Sequence, residues 1–308
     1  KRCRIDSPSN MPSNELKALL AMRWANRPDP LGPVEQIRSQ DKTDPGRTPS
    51  QGATFDGLDA DGVYCEWVDW ETPTTESVFL YLHGGGYYRS SGPASRMAAS
   101  NLSKACGCRC FTADYRLAPE HTFPAAIDDT YTAYQWLLQQ GLSPRQVVVG
   151  GSSAGGGLTA ALLAKLKMSG KEMPAAAVLL SPWTDLTQSS ESYNTNAERD
   201  PSIWKEYLDV AAERYLGGAD PKNPLASPLF SDMEGHPPLL IQVGKEETMY
   251  GDAEAYADKA RQASVEVEFQ VFDDVPHAWH NSEQHVPGIP EVWQALGQIG
   301  DFFRSHVQ

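Results

Sequence analysis

The segment QVVVGGSSAGGGLTAALLAKLKM, residues 146–168, decides the fold of this chain. Its apolar, β-branched opening is typical of a buried strand, and its Ala- and Leu-rich remainder is typical of a helix. Between the two lies the pattern G-x-S-x-G, in which Ser153 is flanked by Gly151 and Gly155. Side chains at the two glycines would clash in a sharp strand-to-helix turn. We therefore predict a turn that exposes the Ser153 hydroxyl and sets the Ala154 N–H beside it, at the positive end of a helix.

A glycine-rich motif, His83-Gly84-Gly85-Gly86, lies about seventy residues upstream, directly after the apolar strand-like run 77–82. Consecutive glycines let a backbone turn its N–H groups toward a ligand without steric cost. Together with the serine motif, this arrangement indicates acyl transfer from an ester, with an oxyanion held by the N–H groups of Gly84, Gly85 and Ala154. A flexible loop after a strand is the alternative interpretation of the glycines.

Apolar segments that read as strands alternate with helical stretches along most of the 308-residue chain. Such alternation favours a mostly parallel sheet covered by helices on both faces, in one catalytic domain of ordinary size. The predicted strands are Tyr64–Trp70, Val78–Leu82, Arg109–Thr112, Gln146–Val149, Ala177–Leu180, Leu239–Val243 and Val267–Phe272.

Three longer motifs follow in order: DYRLAPE at 114–120, FPAAIDD at 123–129 and SPWTDL at 181–186. With the two glycine motifs they resemble the bacterial hormone-sensitive lipase-like (family IV) carboxylesterases of the α/β-hydrolase superfamily, from about residue 60 to the C-terminus. Ser152 stands where that family usually has Asp or Thr. The resemblance implies an α/β-hydrolase fold with a mostly parallel central sheet, helices on both faces and a helical cap.

Two segments do not fit the sheet pattern. Residues 1–50 contain a helical stretch around Asn14–Ala25, and residues 187–217 contain a second around Ile203–Leu216. In the family such segments form a cap over the active site, so we expect cap segments at 1–50 and at about 187–217 of a catalytic domain spanning 51–308. Alternatively, the two segments only pack against the outside of the catalytic domain and do not cover the active site.

A serine hydroxyl is a weak nucleophile without a base and an acid that orients it, and in this fold the chain order is serine, acid, histidine. Downstream of Ser153 the histidines are His236, His277, His280, His285 and His306. His236 precedes a predicted strand and His306 ends a terminal helix, whereas the segment DVPHAWH at 274–280 follows the predicted strand Val267–Phe272. The resemblance identifies His277 as the base, with His280 as the alternative.

The family places its acid three residues after the glycine of Val243-Gly244, which gives Glu247. Glu246 and Asp252 are the alternatives. Asp252 is typical of an N-cap for a helix beginning near Ala253, and this structural role would account for it fully.

Several aromatic residues fall on segments that we expect near the pocket or cap. They predict a compact apolar site for short-chain acyl esters. The stretches 181–187 and 193–201 are similar to the monoterpene ε-lactone hydrolases, which implies lactone opening as an alternative activity. A non-catalytic ligand-binding protein on the same fold, or a related lyase or amide hydrolase, are further alternatives. The expected pocket residues are Tyr87, Tyr88, Trp183, Tyr193 and Trp204.

The formal net charge of −14 disfavours nucleic acid and anionic membrane surfaces as partners. No apolar run is long enough to span a membrane. The opening Lys1-Arg2-Cys3-Arg4 lacks the apolar stretch of a secretion signal, although the absence of an initiator methionine is compatible with removal of an upstream segment. The cysteines in 106–110 have the wrong spacing for zinc, so no metal or cofactor is expected, and the odd total of 5 favours a reducing, cytoplasmic location.

The segment 265–272 has the position of a late edge strand, with charged residues along one side. Because edge strands pair readily with other chains, and because the family often dimerises near this element, we expect a homodimer.

Overall fold

The computed structural model describes residues 2–4, 11–27, 29, 31–43 and 45–307, with the backbone alone at 2–4, 40 and 41. Within these residues the strands are Arg2–Arg4 (β1), Ala53–Ala60 (β2), Val63–Trp70 (β3), Val78–Leu82 (β4), Arg109–Ala113 (β5), Val147–Ser152 (β6), Ala176–Leu180 (β7), Leu239–Gly244 (β8) and Val267–Phe272 (β9). They form one sheet in the order β1-β9-β8-β7-β6-β4-β5-β3-β2, parallel from β1 to β5 and antiparallel at β5-β3-β2. The predicted α/β-hydrolase fold with a mostly parallel sheet is confirmed.

The described helices are Asn14–Ala25 (α1), Val34–Asp41 (α2), Arg96–Cys106 (α3), Ala125–Gln139 (α4), Ala154–Met168 (α5), Ser192–Thr195 (α6), Lys205–Leu216 (α7), Tyr250–Gln262 (α8) and Pro290–His306 (α9). Alternation along the buried strands divides the core between the two faces of the sheet. In β4, Leu80 and Leu82 join the cluster packed under α4 and α5, whereas Phe79 and Tyr81 join the cluster packed under α3 and α9. Successive side chains of a strand point to opposite faces, so continuously apolar strands require helices on both sides.

All seven predicted strands are present, and two further strands, β1 and β2, were not predicted. β2 pairs with β3 across a hairpin whose turn residues Asp61 and Gly62 have φ of 54° and 93°. Asp-Gly is a signal for such a two-residue turn, but the strand before it is largely exposed and carries little apolar pattern.

The prediction that β9 is an edge strand is wrong. β1 pairs in parallel with Phe269, Gln270 and Val271 on the outer side of β9, so β9 lies second from the edge. β1 is only three residues long and lies far from β9 in the sequence, so no residue pattern could predict this pairing.

The residues expected to act together follow the carboxyl ends of four parallel strands. Gly84 follows β4, Ser153 follows β6, Glu247 follows β8 and His277 follows β9. Carboxyl ends of parallel strands meet at one edge of a sheet, where ligands bind in open α/β folds. Among the described residues, no helix combines the length and apolar content that a membrane span requires.

Candidate active site

Ser153 occupies the sharp turn between β6 and α5, with φ of 58° and ψ of −119°. A non-glycine residue pays a strain cost at such angles, and surrounding bonds must hold it there. The Ser153 N–H donates to the Leu180 carbonyl at 2.9 Å, and its carbonyl accepts from the Trp183 N–H at 3.1 Å. A Cβ atom at Gly155 would collide with the carbonyl oxygen of Leu82, which explains the glycine after the serine.

His277 lies between the serine and a carboxylate. Its Nε2 is 2.9 Å from the Ser153 Oγ, and its Nδ1 is 2.8 Å from the Glu247 Oε2. An ionised carboxylate only accepts hydrogen bonds, so the imidazole proton belongs on Nδ1 and leaves Nε2 free to accept from the serine hydroxyl. This arrangement can activate the hydroxyl as a nucleophile.

Glu247 is fully buried and held by two donors besides His277. Its Oε1 accepts from the Gly244 N–H at 2.6 Å and from the Ser181 hydroxyl at 2.7 Å. Burial raises the pKa of Glu247 above its usual value, while the hydrogen bond and charge of His277 act in the opposite direction. The carboxylate therefore depends on its hydrogen bonds to remain ionised in the interior.

The residues expected to form the oxyanion hole, Gly84, Gly85 and Ala154, lie beside Ser153 at the cavity or next to it in the chain. A Cβ at Gly84 would stand 3.2 Å from the Ser153 Cβ and 2.9 Å from the Ser152 carbonyl oxygen. Gly85 has φ of 112°, and a Cβ there would collide with the Arg89 carbonyl. Ala154 is the first residue of α5, so its N–H has no partner within the helix.

The two alternative acids lie elsewhere. Glu246 accepts from the Asp274 N–H at 3.0 Å, at the surface. Asp252 lies inside the first turn of α8, after the N-cap Met249, so the prediction that it is an N-cap is wrong. It is buried and accepts from the Asp185 N–H at 3.1 Å and the Tyr193 hydroxyl at 3.0 Å. Burial raises the pKa of Asp252 well above its usual value.

His280, the alternative base, is buried away from the serine. Its Nε2 is 3.0 Å from the Gln242 Oε1, and its ring packs against Trp279 at a centroid distance of 3.7 Å. Burial lowers the pKa of His280 to about 3. His236 is also buried, and burial lowers its pKa to about 4.

We expect these two histidines to make the fold sensitive to acid. Both have pKa values below the unfolded value of 6.5, so the unfolded chain binds more protons as the pH falls. Their contribution to stability is complete above about pH 6.5 and is lost as the pH falls through the values in the folded state. Urea unfolding at several pH values between about 7 and 4.5 measures this loss. A His280→Gln variant should lose part of the pH dependence, and a pH dependence equal to that of the wild type would contradict the assignment.

A cavity of about 300 Å³ opens over Ser153 and His277. Of the five aromatic residues expected in the pocket, Trp183 lines it. For the other four the prediction is wrong, because they pack one layer behind the described wall. Tyr87 stacks on Tyr215, Tyr88 donates to or accepts from the Tyr207 hydroxyl, Tyr193 bonds Asp252, and Trp204 packs on Tyr207.

The lining instead mixes polar and apolar residues from both segments that do not fit the sheet. Arg23 comes from α1, while Ile203, Tyr207 and Leu208 come from the segment 187–217. The sequence gives Arg23 helical spacing with Leu16 and Leu19, which are both buried, but this pattern alone predicts no role for the side chain. A cation in line with buried leucines was the available signal. The remaining lining residues include Arg89, Ser90, Ala94, Ser95, Ala98, Asn281, Gln284 and His285.

In the described part of the chain, no three His, Cys, Asp or Glu side chains stand close enough to hold a metal ion.

Comparisons with known proteins place the chain among hydrolases. The sequence profile of the family described as alpha/beta hydrolase fold matches residues 79–281. An acetyl-hydrolase of Streptomyces hygroscopicus is 41% identical over 240 residues, which cover 77% of this chain and 79% of that protein. An esterase of Acinetobacter venetianus is 36% identical over 245 residues, covering 79% and 80%. The crystal structure of an esterase from the bacterial hormone-sensitive lipase family is 42% identical, with a TM-score of 0.91 over 97% of this chain and 100% of that one.

The chain therefore belongs to the α/β-hydrolase family. Within it, the chain belongs to the bacterial hormone-sensitive lipase-like esterases. The resemblance to the lactone hydrolases is not among these findings.

Proposed function

We propose that this carboxylester hydrolase cleaves short-chain acyl esters through a covalent acyl-enzyme on Ser153. The observation that carries the proposal is the continuous hydrogen-bonded chain from Ser153 through His277 to Glu247, at the floor of a small cavity. A ligand-binding protein that is not an enzyme would not need a base within 2.9 Å of the serine oxygen. Turnover of p-nitrophenyl acetate and butyrate by the wild-type protein separates the two functions.

In the proposed mechanism, the Ser153 Oγ attacks the ester carbonyl while its proton passes to the His277 Nε2. The Gly84, Gly85 and Ala154 N–H groups stabilise the oxyanion, each being worth about 3 kcal/mol in related sites. Collapse of the tetrahedral intermediate transfers the proton from His277 to the leaving alcohol. Water then attacks the acyl-enzyme, giving up a proton to His277, which returns it to the serine as the acid leaves.

We expect Glu247→Gln to reduce kcat on the order of 10³-fold or more, since a neutral amide can no longer select and stabilise the Nδ1-protonated imidazole. Glu246→Gln is the matched control, because it is the adjacent residue and its carboxylate bonds the Asp274 N–H instead. Steady-state kinetics on p-nitrophenyl butyrate measures both variants. A larger loss in Glu246→Gln would move the acid to that residue.

The cavity volume sets an expected limit on acyl length. At about 300 Å³ the cavity lies at the small end of ligand sites in general. Each added methylene gains about 0.8 kcal/mol only where it can be buried. We therefore expect kcat/KM to be highest between acetyl and hexanoyl p-nitrophenyl esters and to fall for dodecanoyl. A kcat/KM that kept rising beyond ten carbons would contradict the limit.

The same acyl-enzyme route would open a lactone, and a compact cavity suits a single ring. In that case the alcohol remains attached to the acyl group, so water must reach the acyl-enzyme with the whole product still in the cavity. Turnover of ε-caprolactone in the same assay tests this variant. Rapid ester hydrolysis without lactone opening would remove it and leave the esterase.

Three further proposals concern organisation. Arg23 and Tyr207 on the cavity wall support a cap made by residues 1–50 and 187–217 over the catalytic domain 51–308. The buried free thiols Cys65, Cys106, Cys108 and Cys110 support a reducing compartment such as the cytoplasm. The homodimer stays a prediction, but the edge position of β9 no longer supports it. Light scattering tests it, since a measured mass near the 33.8 kDa of a single chain would contradict a dimer.

A further inference from the structure

A cation from the N-terminal helix reaches the loop that carries the candidate base. The Arg23 Nη1 donates to the His277 carbonyl oxygen at 2.6 Å and to the Ser202 hydroxyl at 2.7 Å. Its Nη2 donates to the Ser282 hydroxyl at 2.9 Å. One guanidinium thus connects α1, the segment 187–217, the His277 carbonyl and the short 3-10 helix Trp279–Gln284 that follows it.

The peptide bond after His277 is held at both of its polar atoms. Arg23 binds its carbonyl, and the Ala278 N–H donates to the Ser181 hydroxyl at 3.2 Å. That hydroxyl in turn donates to the Glu247 carboxylate. Ala278 has φ of 53°, a conformation that costs a non-glycine residue on the order of 1–2 kcal/mol. The flanking bonds are what hold this peptide, and with it the imidazole direction, in place.

The acceptors around Arg23 suit a side chain that orients the groups it binds more than one that forms an ion pair. All three are uncharged oxygens. Burial lowers the pKa of the Arg23 guanidinium, which the carboxylates of Asp200 and Glu247 oppose by their charge. A rigid planar fork presents donors from two separate nitrogens at fixed angles, whereas all three donors of a lysine ammonium leave from one nitrogen on a flexible stem.

Helix α1 presents this guanidinium from a fixed position. At the start of the helix, the Ser13 N–H and hydroxyl donate to the Glu291 carboxylate at 2.9 and 2.8 Å. Leu16 and Leu19 are buried on the α3 and α9 side of the core. Near its other end, the Arg27 guanidinium lies over the Trp204 ring at 4.2 Å. The helix is therefore anchored along its length, not only through Arg23.

We infer that Arg23 is a positioning residue for His277: the N-terminal helix holds the imidazole in line between Ser153 and Glu247. The inference rests on the proposed function and adds to it. The first segment of the chain then has a part in the chemistry as well as in the cavity wall. An error of about 1 Å in such a position costs on the order of 10²-fold in rate.

The test compares Arg23→Met with Arg27→Met on p-nitrophenyl butyrate. Methionine preserves an unbranched apolar stem and removes every donor. Arg27 is the matched control, four residues further along the chain and just beyond the end of α1, because it does not line the described cavity wall. We expect kcat to fall on the order of 10²-fold in Arg23→Met with KM within a few-fold, and both to stay near wild type in Arg27→Met. Arg23→Ala should regain part of its kcat when guanidinium ion is added, and not with methylammonium.

A second measurement does not depend on turnover. The proton between the His277 Nδ1 and Glu247 should give a far-downfield NMR resonance in the wild type and in Arg27→Met. We expect it to broaden or disappear in Arg23→Met and to survive in Arg23→Lys only in part. If the wild type hydrolyses no ester, the proposed function fails, and the resonance still decides the role of Arg23.

Three results would overturn the inference. A raised KM with unchanged kcat in Arg23→Met would make Arg23 a substrate ligand. Equal losses of kcat in Arg23→Met and Arg27→Met would show that Arg23 only attaches α1 to the rest of the protein. An unchanged His277 resonance in a folded Arg23→Met would show that the imidazole does not depend on it. Should Arg23→Met fail to fold, Arg23→Lys is subject to the same three criteria.

Discussion

Replacing Ser153 by alanine is expected to reduce kcat by at least about 10⁴-fold while the chain still folds. The side chain supplies the nucleophilic atom that the His277 Nε2 contacts, at 2.9 Å. Alanine fits the turn, since the strained backbone is held by bonds from Leu180 and Trp183 to main-chain atoms and not to the hydroxyl. The oxyanion donors remain, so a small residual rate above that in water is expected.

Steady-state kinetics on p-nitrophenyl butyrate and circular dichroism of the same sample measure this prediction. A fluorophosphonate probe gives an independent reading, because it should label the wild type once, at Ser153, and leave Ser153→Ala unlabelled. Retention of more than a few per cent of the wild-type kcat in a folded Ser153→Ala protein would show that another residue attacks the ester.

The second large effect is expected at His277. His277→Gln removes the group that takes the serine proton, and a loss of at least about 10⁴-fold in kcat follows from the cooperative action of the three residues. His280→Gln is the matched control, three residues further along the same loop. Its side chain bonds Gln242 in the interior, so kcat near neutral pH should stay within a few-fold of wild type.

Both variants are measured at a pH where the wild-type fold is fully stable, because the His280 variant also changes the response to acid. If His280→Gln lost more activity than His277→Gln, the base would have to be reassigned. Intact labelling of Ser153 by a fluorophosphonate in His277→Gln, at the wild-type rate, would equally contradict a role in activating the serine.

The strand-turn-helix around Ser153 could be predicted because local chemistry imposes it. Gly155 has no room for a side chain against the Leu82 carbonyl, and the apolar strand before it has the right period. The same reasoning found the seven strands β3 to β9, of which β4, β6, β7 and β8 are buried along their whole length. It missed β2, which is exposed, and β1, which is only three residues long.

The aromatic residues expected in the pocket show that the sequence does not predict side-chain direction on irregular segments. Tyr87, Tyr88, Tyr193 and Trp204 lie on the expected segments, yet their rings pack behind the wall on Tyr215, Tyr207 and Asp252. The direction of a side chain on an irregular segment depends on what surrounds it, and no periodic pattern records this. The role of Asp252 was misjudged for the same reason, since its partners come from a segment 59–68 residues earlier in the chain.

By itself, then, the sequence determined the mostly parallel α/β sheet and the turn that carries Ser153, since each depends on local backbone geometry or strand periodicity. Its motifs indicated the α/β-hydrolase fold and the order of serine, acid and histidine through their resemblance to a known family. Only the tertiary structure decided between His277 and His280 as the neighbour of Ser153, placed Glu247 rather than Glu246 on the imidazole, and brought Arg23 to the His277 carbonyl across 254 residues of chain. Those contacts join loops at the ends of different strands. Their distances are fixed by the packing of the whole sheet and not by any short stretch of residues.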